Sequence, residues 1–357
     1  MTLDALHRSA LLPRVAPGAP TAAWGLVAAL LMAMALAVML GAVSVSARDW
    51  GALFDTSDAM SGGAHVLWNL RLPRALMAML VGAALGLAGA LAQGLFRNPM
   101  ADPGLLGVTS GAACAAALVL TVFAAAQMSV PPAWRIFVLP AAAFCGALAV
   151  CFALDRVARW LTPGSVAGLL LTGLALNAVT MAVVGLCTYL ATDEQLRSLS
   201  FWSLGSLAAA QWSVVAVMAA ALLLGVIGAR RIGHQLNALA LGEAAAAHVG
   251  VDVQRLRSRL IAIVALLCAV SVAWCGVIGF IGLMAPHLVR GTAGADQRRV
   301  LPLAMGAGAL LLLVADTVAR TVAIPAEIPV GIFTALIGGP GFLVLLRSVA
   351  RQQGGHA

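Results

Sequence analysis

Few side chains here can do chemistry, and three segments gather them into patterns. The first is Arg71-Leu72-Pro73-Arg74, with Arg320 far along the chain. Guanidinium forks take carboxylates through paired hydrogen bonds, so this set suits docking of an acidic partner. It equally suits lipid headgroups, or pairing with Asp316 or Glu327. The second is Arg97-Asn98-Pro99-Met100-Ala101-Asp102-Pro103-Gly104, where two prolines within five residues forbid a continuous helix. A polar, kinked turn of this kind fits a gate or a half-helix site, or an ordinary tight turn. The third is Leu239 to Val251, which reads as a small amphipathic helix with a smooth alanine and glycine face. It could dock a cytoplasmic subunit or lie on a membrane surface as a connector.

Other chemistries lack their residues. All 21 basic residues are Arg, so no P-loop lysine and no Schiff-base lysine exists. If ATP drives this protein, another subunit binds it. There is no HExxH and no GxSxG, and the six histidines (His7, His65, His234, His248, His287, His356) form no pair placed to bind haem across two helices. The six cysteines all fall in apolar runs without a CxxC, which reads as small buried residues and no metal site. Asp316 could face Arg320 one turn on, but almost no carboxylate lies mid-span, where an ion-driven carrier would want one.

The elements that must position these groups are membrane helices. The chain is 62% hydrophobic and only 10% charged over 357 residues, whereas a soluble domain carries roughly a quarter charged residues. Long runs of Ala, Leu, Val and Gly replace the alternating strands of an outer-membrane barrel. The fold class is therefore all-α, a polytopic bundle of about ten transmembrane helices. Spans are expected near 24–46, 70–95, 105–126, 135–158, 165–191, 212–230, 259–281, 301–320 and 328–348, with a shorter piece near 283–293. With both termini in the cytoplasm, only Arg48, Arg71, Arg74, Arg135, Arg197 and Arg320 of the 21 arginines lie outside, in accord with the positive-inside rule. That orientation requires the piece at 283–293 to return the chain as a short or half-buried, irregular segment. Tryptophans fall at expected helix ends except Trp274, which is expected mid-span. Gly82 and Gly86 form a GxxxG suited to close helix packing within the bundle.

Taken in order, these segments resemble the permease subunits of bacterial ABC importers for iron chelates, haem and vitamin B12. The match comprises Arg71-Leu72-Pro73-Arg74, Asn98 to Gly107, Ala240-Leu241-Gly242-Glu243 with Gly250-Val251, Gly279 to Leu283 with Pro286-His287 and Arg290, Asp316 with Arg320, and Pro329-Val330-Gly331. It implies a vitamin-B12-permease-like (type II importer) bundle that works as a homodimer with two separate ABC ATPase subunits and a periplasmic binding protein. It implies no enzyme activity and no ATPase site in this chain. No cofactor is held permanently, ATP and Mg act on the partner ATPase, and no nucleic acid is engaged. Residues 1–23 would be a cytoplasmic segment, 24–350 a single permease domain with a coupling region at about 230–258, and 351–357 a cytoplasmic tail of an inner-membrane protein.

The resemblance also implies site residues. Arg71, Arg74 and Arg320 would receive glutamates of the binding protein. Asn98, Pro99 and Met100, with Ser165, Val166 and Ala167, would form cytoplasmic gates, although the latter trio is more apolar than its counterpart. Leu241, Gly242, Glu243, Ala247, Gly250 and Val251 would couple to the ATPase, and the fifth helix near Leu170–Leu190 would line the pathway. The segment from Glu194 to Leu207 is most similar to haem permeases, which makes haem the expected cargo, with a ferric siderophore or cobalamin as alternatives. An ion-driven secondary transporter is the competing class.

Overall fold

The computed structural model describes residues 19–51, 61–124, 129–324 and 326–354. Arg8, Arg14, His7 and His356 lie outside them, as do most of the proposed N-terminal segment and the end of the tail. Ten helices thread the bundle: α1 (Ala19–Met39), α2 (Leu72–Phe96), α3 (Val108–Leu120), α4 (Pro132–Leu161), α5 (Val166–Leu190), α6 (Trp212–Ala240), α7 (Val253–Cys275), α8 (Ile281–Ala293), α9 (Gln297–Ala319) and α10 (Val330–Gly354). Seven of the described spans are long and apolar enough to cross a membrane alone, and α3, α8 and α10 complete the set.

Helix α2 is apolar on every side and is buried along nearly its whole length, as expected of a helix with no polar face. It packs on α6, α7, α8 and α9. Helices α3, α4 and α5 form a second group, and α7 touches both groups. The most extensive of these contacts is α2 against α9. A Cβ at Gly82 would run into the backbone carbonyl of Gly308, and one at Gly86 into that of Ala304. The GxxxG therefore packs within the bundle. Large apolar side chains such as Trp24, Leu31, Leu174, Leu223 and Leu343 project from the periphery, a surface that only lipid or another subunit can cover.

Several expectations are corrected. α1 stops at Met39 rather than near residue 46, because side chains from other helices capture its last carbonyls. α6 runs ten residues past its expected end at 230, to Ala240; the arginines at 230 and 231 leave the membrane without ending the helix. α7 ends at Cys275, so Trp274 lies in a last turn, where it meets Phe137 edge to face at 5.8 Å.

The return near 283–293 is a regular helix, with the irregularity placed before it. Residues 276–280 are non-helical, and Val277 lies near Gly205 and Gly331, at the end of the bundle where α10 begins. Gly282 is already beside Gly89 of α2. Five extended residues can cover about 16 Å, and the 13 residues of α8 cover about 20 Å. Together they return the chain with one half-length helix. Gln93 of α2 donates to Leu283 O at 3.2 Å and accepts from Arg290, which gives this buried amide partners on α8.

Candidate functional site

The three arginines meet at the end of the bundle where α1 finishes. An α-helix leaves its last four carbonyls without partners. Arg71, only 6% exposed, donates to Val38 O (2.9 Å), Met39 O (3.1 Å) and Val43 O (2.5 Å). Arg320 donates to Leu40 O (3.0 Å) and to Ala37 O. Two cations thus cap the negative end of the helix dipole. Arg74 instead makes a forked contact with Asp316, Nε at 3.0 Å and Nη2 at 2.9 Å, and its Nη1 reaches Glu327 Oε2 at 2.7 Å. Arg320 Nε stands 3.9 Å from Asp316. The pairing with Asp316 and Glu327 weighed from sequence is present, and capping of α1 is a role that reading missed. Three cations face two anions here, which leaves a net positive cluster whose most exposed member is Glu327.

Asp49 closes the same end. Its carboxylate accepts from Ser61 Oγ (2.6 Å), Ser46 N (2.7 Å) and Ser46 Oγ (2.8 Å), and these bonds hold it below the usual carboxylate range.

At the opposite end stand the residues read as gates. Arg97 adopts a left-handed conformation (φ 51°) that ends α2. Asn98 Oδ1 then accepts from Met100 N at 2.9 Å, and Asp102 Oδ1 from Gly104 N at 2.7 Å. This opens a short 3₁₀ turn at Pro103–Leu106. Asn98 and Pro99 are exposed. Ser165 caps α5 by accepting from Gly168 N at 3.0 Å, and Val166 and Ala167 make the first turn. α5 packs on the 3₁₀ turn, since a Cβ on Gly173 would meet Leu105 O.

The segment after α6 is not the continuous helix expected from Leu239 to Val251. Gly242 at φ +113° breaks it, a conformation open to glycine and strained for other residues. A separate short helix follows at Glu243–His248, and Gly250 turns the chain toward α7. Leu241 is 81% and Val249 70% exposed, an apolar pair presented outward, while Ala246 faces in. Ala247 and Gly250 are exposed; Gly242, Glu243 and Val251 are half-buried.

Arg257 of α7 escaped the sequence reading. Its side chain is 7% exposed, and its Nη2 donates to Glu243 Oε1 at 3.0 Å and to Gly164 O at 3.1 Å. One buried group therefore joins the segment after α6 to the loop that precedes Ser165. Sequence holds no signal for it beyond one arginine on an otherwise apolar stripe.

A cavity of about 570 Å³ opens between α3, α5 and a short helix at Asp193–Ser203. Ser110 donates to Asn177 Oδ1 at 2.5 Å on its wall, beside Met181, Trp202 and Val277. It is a mostly apolar hollow with a few hydroxyl and amide groups. No cluster of His, Cys, Asp and Glu able to hold a metal occurs among the described residues.

Comparison with known proteins converges on one family. The profile of the FecCD transport family matches residues 29–348. The hemin transport system permease protein HmuU of Yersinia pestis is 45% identical over 337 residues, 93% of this chain and 97% of that protein. The vitamin B12 import system permease protein BtuC of Yersinia enterocolitica is 39% identical over 325 residues, 91% of this chain and 92% of that protein. Among solved structures, a metal-chelate type ABC transporter in an inward-facing conformation superposes with a TM-score of 0.79 at 32% identity, covering 92% of this chain and 99% of that one.

Proposed function

Because the chain belongs to the FecCD transport family, the permease subunits of bacterial ABC importers, we propose that it carries haem from a periplasmic binding protein across the inner membrane. The observation that carries the cargo is the 45% identity to a hemin permease across 93% of the chain, against 39% to a vitamin B12 permease. The permease has no ATPase site of its own. It works as a homodimer on two ATPase subunits, with both termini in the cytoplasm, and ATP and Mg stay on those subunits.

In this reading the arginine cluster faces the periplasm. Arg74 is the member best suited to trade partners, because Glu327 is 49% exposed and can yield its place to a carboxylate of the binding protein. Arg71 and Arg320 hold the end of α1 and supply positive potential. At the cytoplasmic end, Leu241 and Val249 seat in the ATPase, and Gly242, Glu243, Ala247, Gly250 and Val251 give that contact its shape. Motion of this segment passes through Arg257 to Gly164 and so to Ser165, Val166 and Ala167 at the foot of α5. Asn98, Pro99 and Met100 close the foot of α2. The cavity beside Asn177 is the cargo's way between them, and its weak polarity suits a pore that must release what it takes.

The test is uptake into proteoliposomes that hold this chain with its ATPase, ATP inside and the binding protein outside. Haem, cobalamin and a ferric siderophore are compared. Haem uptake that needs both ATP and the binding protein is expected. Uptake of another chelate on the same terms would replace the cargo, and uptake driven by a proton gradient without ATP would overturn the proposal.

A further inference from the structure

A second cavity, about 430 Å³, lies between α6 and α9 and reaches Leu87 of α2, with the exposed Arg230, His234 and Arg298 at its rim. Arg230 and His234 of α6 and Arg298 of α9 stand around it, and Leu301 and Met305 line its wall. Among the described residues no hydrogen bond or ion pair engages the guanidinium groups of Arg230 and Arg298 or the His234 ring. Asp296 is the nearby anion, and it attracts Arg298 and Arg299 through space without a direct side-chain bond to either. Its Oδ1 accepts from Asn237 Nδ2 (2.7 Å) and Arg298 N (3.0 Å), so it is held at the helix joint.

The depth of the cavity is set by the helix. Trp212 opens α6, and Arg230 lies 18 residues on, which is about 27 Å along the axis. That is close to the thickness of a bilayer's hydrocarbon core, roughly 30 Å. The cations therefore stand at the membrane–water boundary. From Arg298 to Met305 the wall descends seven residues, about 10 Å, into the apolar zone. Positive groups above an apolar slot complement a molecule with a phosphate head and a hydrocarbon tail, and basic pockets between helices at this level favour anionic headgroups.

We propose that Arg230, His234 and Arg298 form a binding site for the phosphate of an anionic phospholipid, whose acyl chain lies along Leu301 and Met305. The occupied site ties α6 to α9 at the end from which the Leu241–Val251 segment projects.

Native mass spectrometry of the full-length chain released from detergent tests this, with phosphatidylglycerol, phosphatidylcholine and inorganic phosphate as probes. Phosphatidylglycerol should bind in preference to phosphatidylcholine. Arg230→Gln with Arg298→Gln should weaken it about thirtyfold, since each arginine near an anionic surface contributes roughly fivefold. Met305→Trp, which fills the slot and keeps every charge, should also weaken it, and Arg347→Gln should not. Equal binding of the two lipids, or phosphatidylglycerol binding untouched by both sets of changes, would overturn the site. Millimolar phosphate that displaces the lipid, together with indifference to Met305→Trp, would make it a free-anion site and overturn the lipid assignment.

Discussion

Replacing Arg257 by Met should uncouple transport from ATP hydrolysis. The change keeps an apolar stem of similar reach, so the packing that the arginine's methylenes provide is largely kept. It removes two hydrogen bonds from one buried nitrogen, to Glu243 at 3.0 Å and to Gly164 O at 3.1 Å. A hydrogen bond to a charged group contributes about 1.5–3 kcal/mol. Glu243 is 33% exposed, so its share falls toward about 1 kcal/mol, the upper end for solvated pairs. Gly164 is exposed and regains water. The net loss is about 2–3 kcal/mol, a thirtyfold or greater weakening of the link between the segment after α6 and the loop before α5. The assay follows haem uptake and phosphate release together in proteoliposomes. Hydrolysis should persist while uptake per ATP falls by an order of magnitude or more. Glu243→Gln should lower it less, and the double variant should be no worse than Arg257→Met alone, because both changes cut one link. An unchanged ratio of uptake to hydrolysis, or losses that add in full, would refute the transmission route.

Other outcomes follow from the same geometry. Asp316→Asn leaves Arg74 and Arg320 facing a neutral group at a site 2% exposed, and should cost about 3–5 kcal/mol, read as a lower melting temperature in detergent. Gly82→Leu drives a side chain into the carbonyl of Gly308 and should cost about 3 kcal/mol or more, or prevent assembly; a monodisperse protein of ordinary stability would contradict the α2–α9 contact. Asn237, foremost, holds the Asp296 carboxyl below its usual range, so its contribution is present above the ordinary aspartate pKa and lost as pH falls through the lowered one. The stability gap between the natural chain and Asp296→Asn should therefore be constant near neutrality and close in acid, below the ordinary aspartate range. Glu327→Gln should tighten binding-protein docking a few-fold and Arg74→Gln weaken it, measured by pull-down at low salt. Deletion of Leu241–Val251 should abolish copurification with the ATPase.

Sequence alone determined the solvent of this protein and most of its outline. A chain with 10% charged residues cannot face water, so apolar runs had to be helices, and arginine asymmetry with parity required a short return near residue 283. Those inferences rest on composition and period, which are local. The ends of helices were not legible in the same way. α1 stops where Arg71 and Arg320 take its carbonyls, and those donors come from residues 33 and 283 positions away. α6 continues past its arginines because Asn237 and Asp296 join it to α9. The Leu239–Val251 stretch has the composition of one helix, yet Gly242 takes a conformation that composition does not dictate.

The candidate site divides along the same line. Arg71, Arg74 and Arg320 stood out because cations at the boundary expected to be external run against the positive-inside rule, which can be counted along any sequence. Arg257 did not, because a single arginine on an apolar stripe acquires meaning only when folding sets Glu243 and Gly164 on either side of it. The three arginines likewise share one cluster but not one role. Arg74 finds carboxylates within reach, and Arg71 finds the end of a helix. Residue type fixes what bonds a side chain can make, while the partners within about 3 Å that decide which bonds it does make are brought there by folding, from 14 positions away for Glu243 on Arg257 to 242 for Asp316 on Arg74.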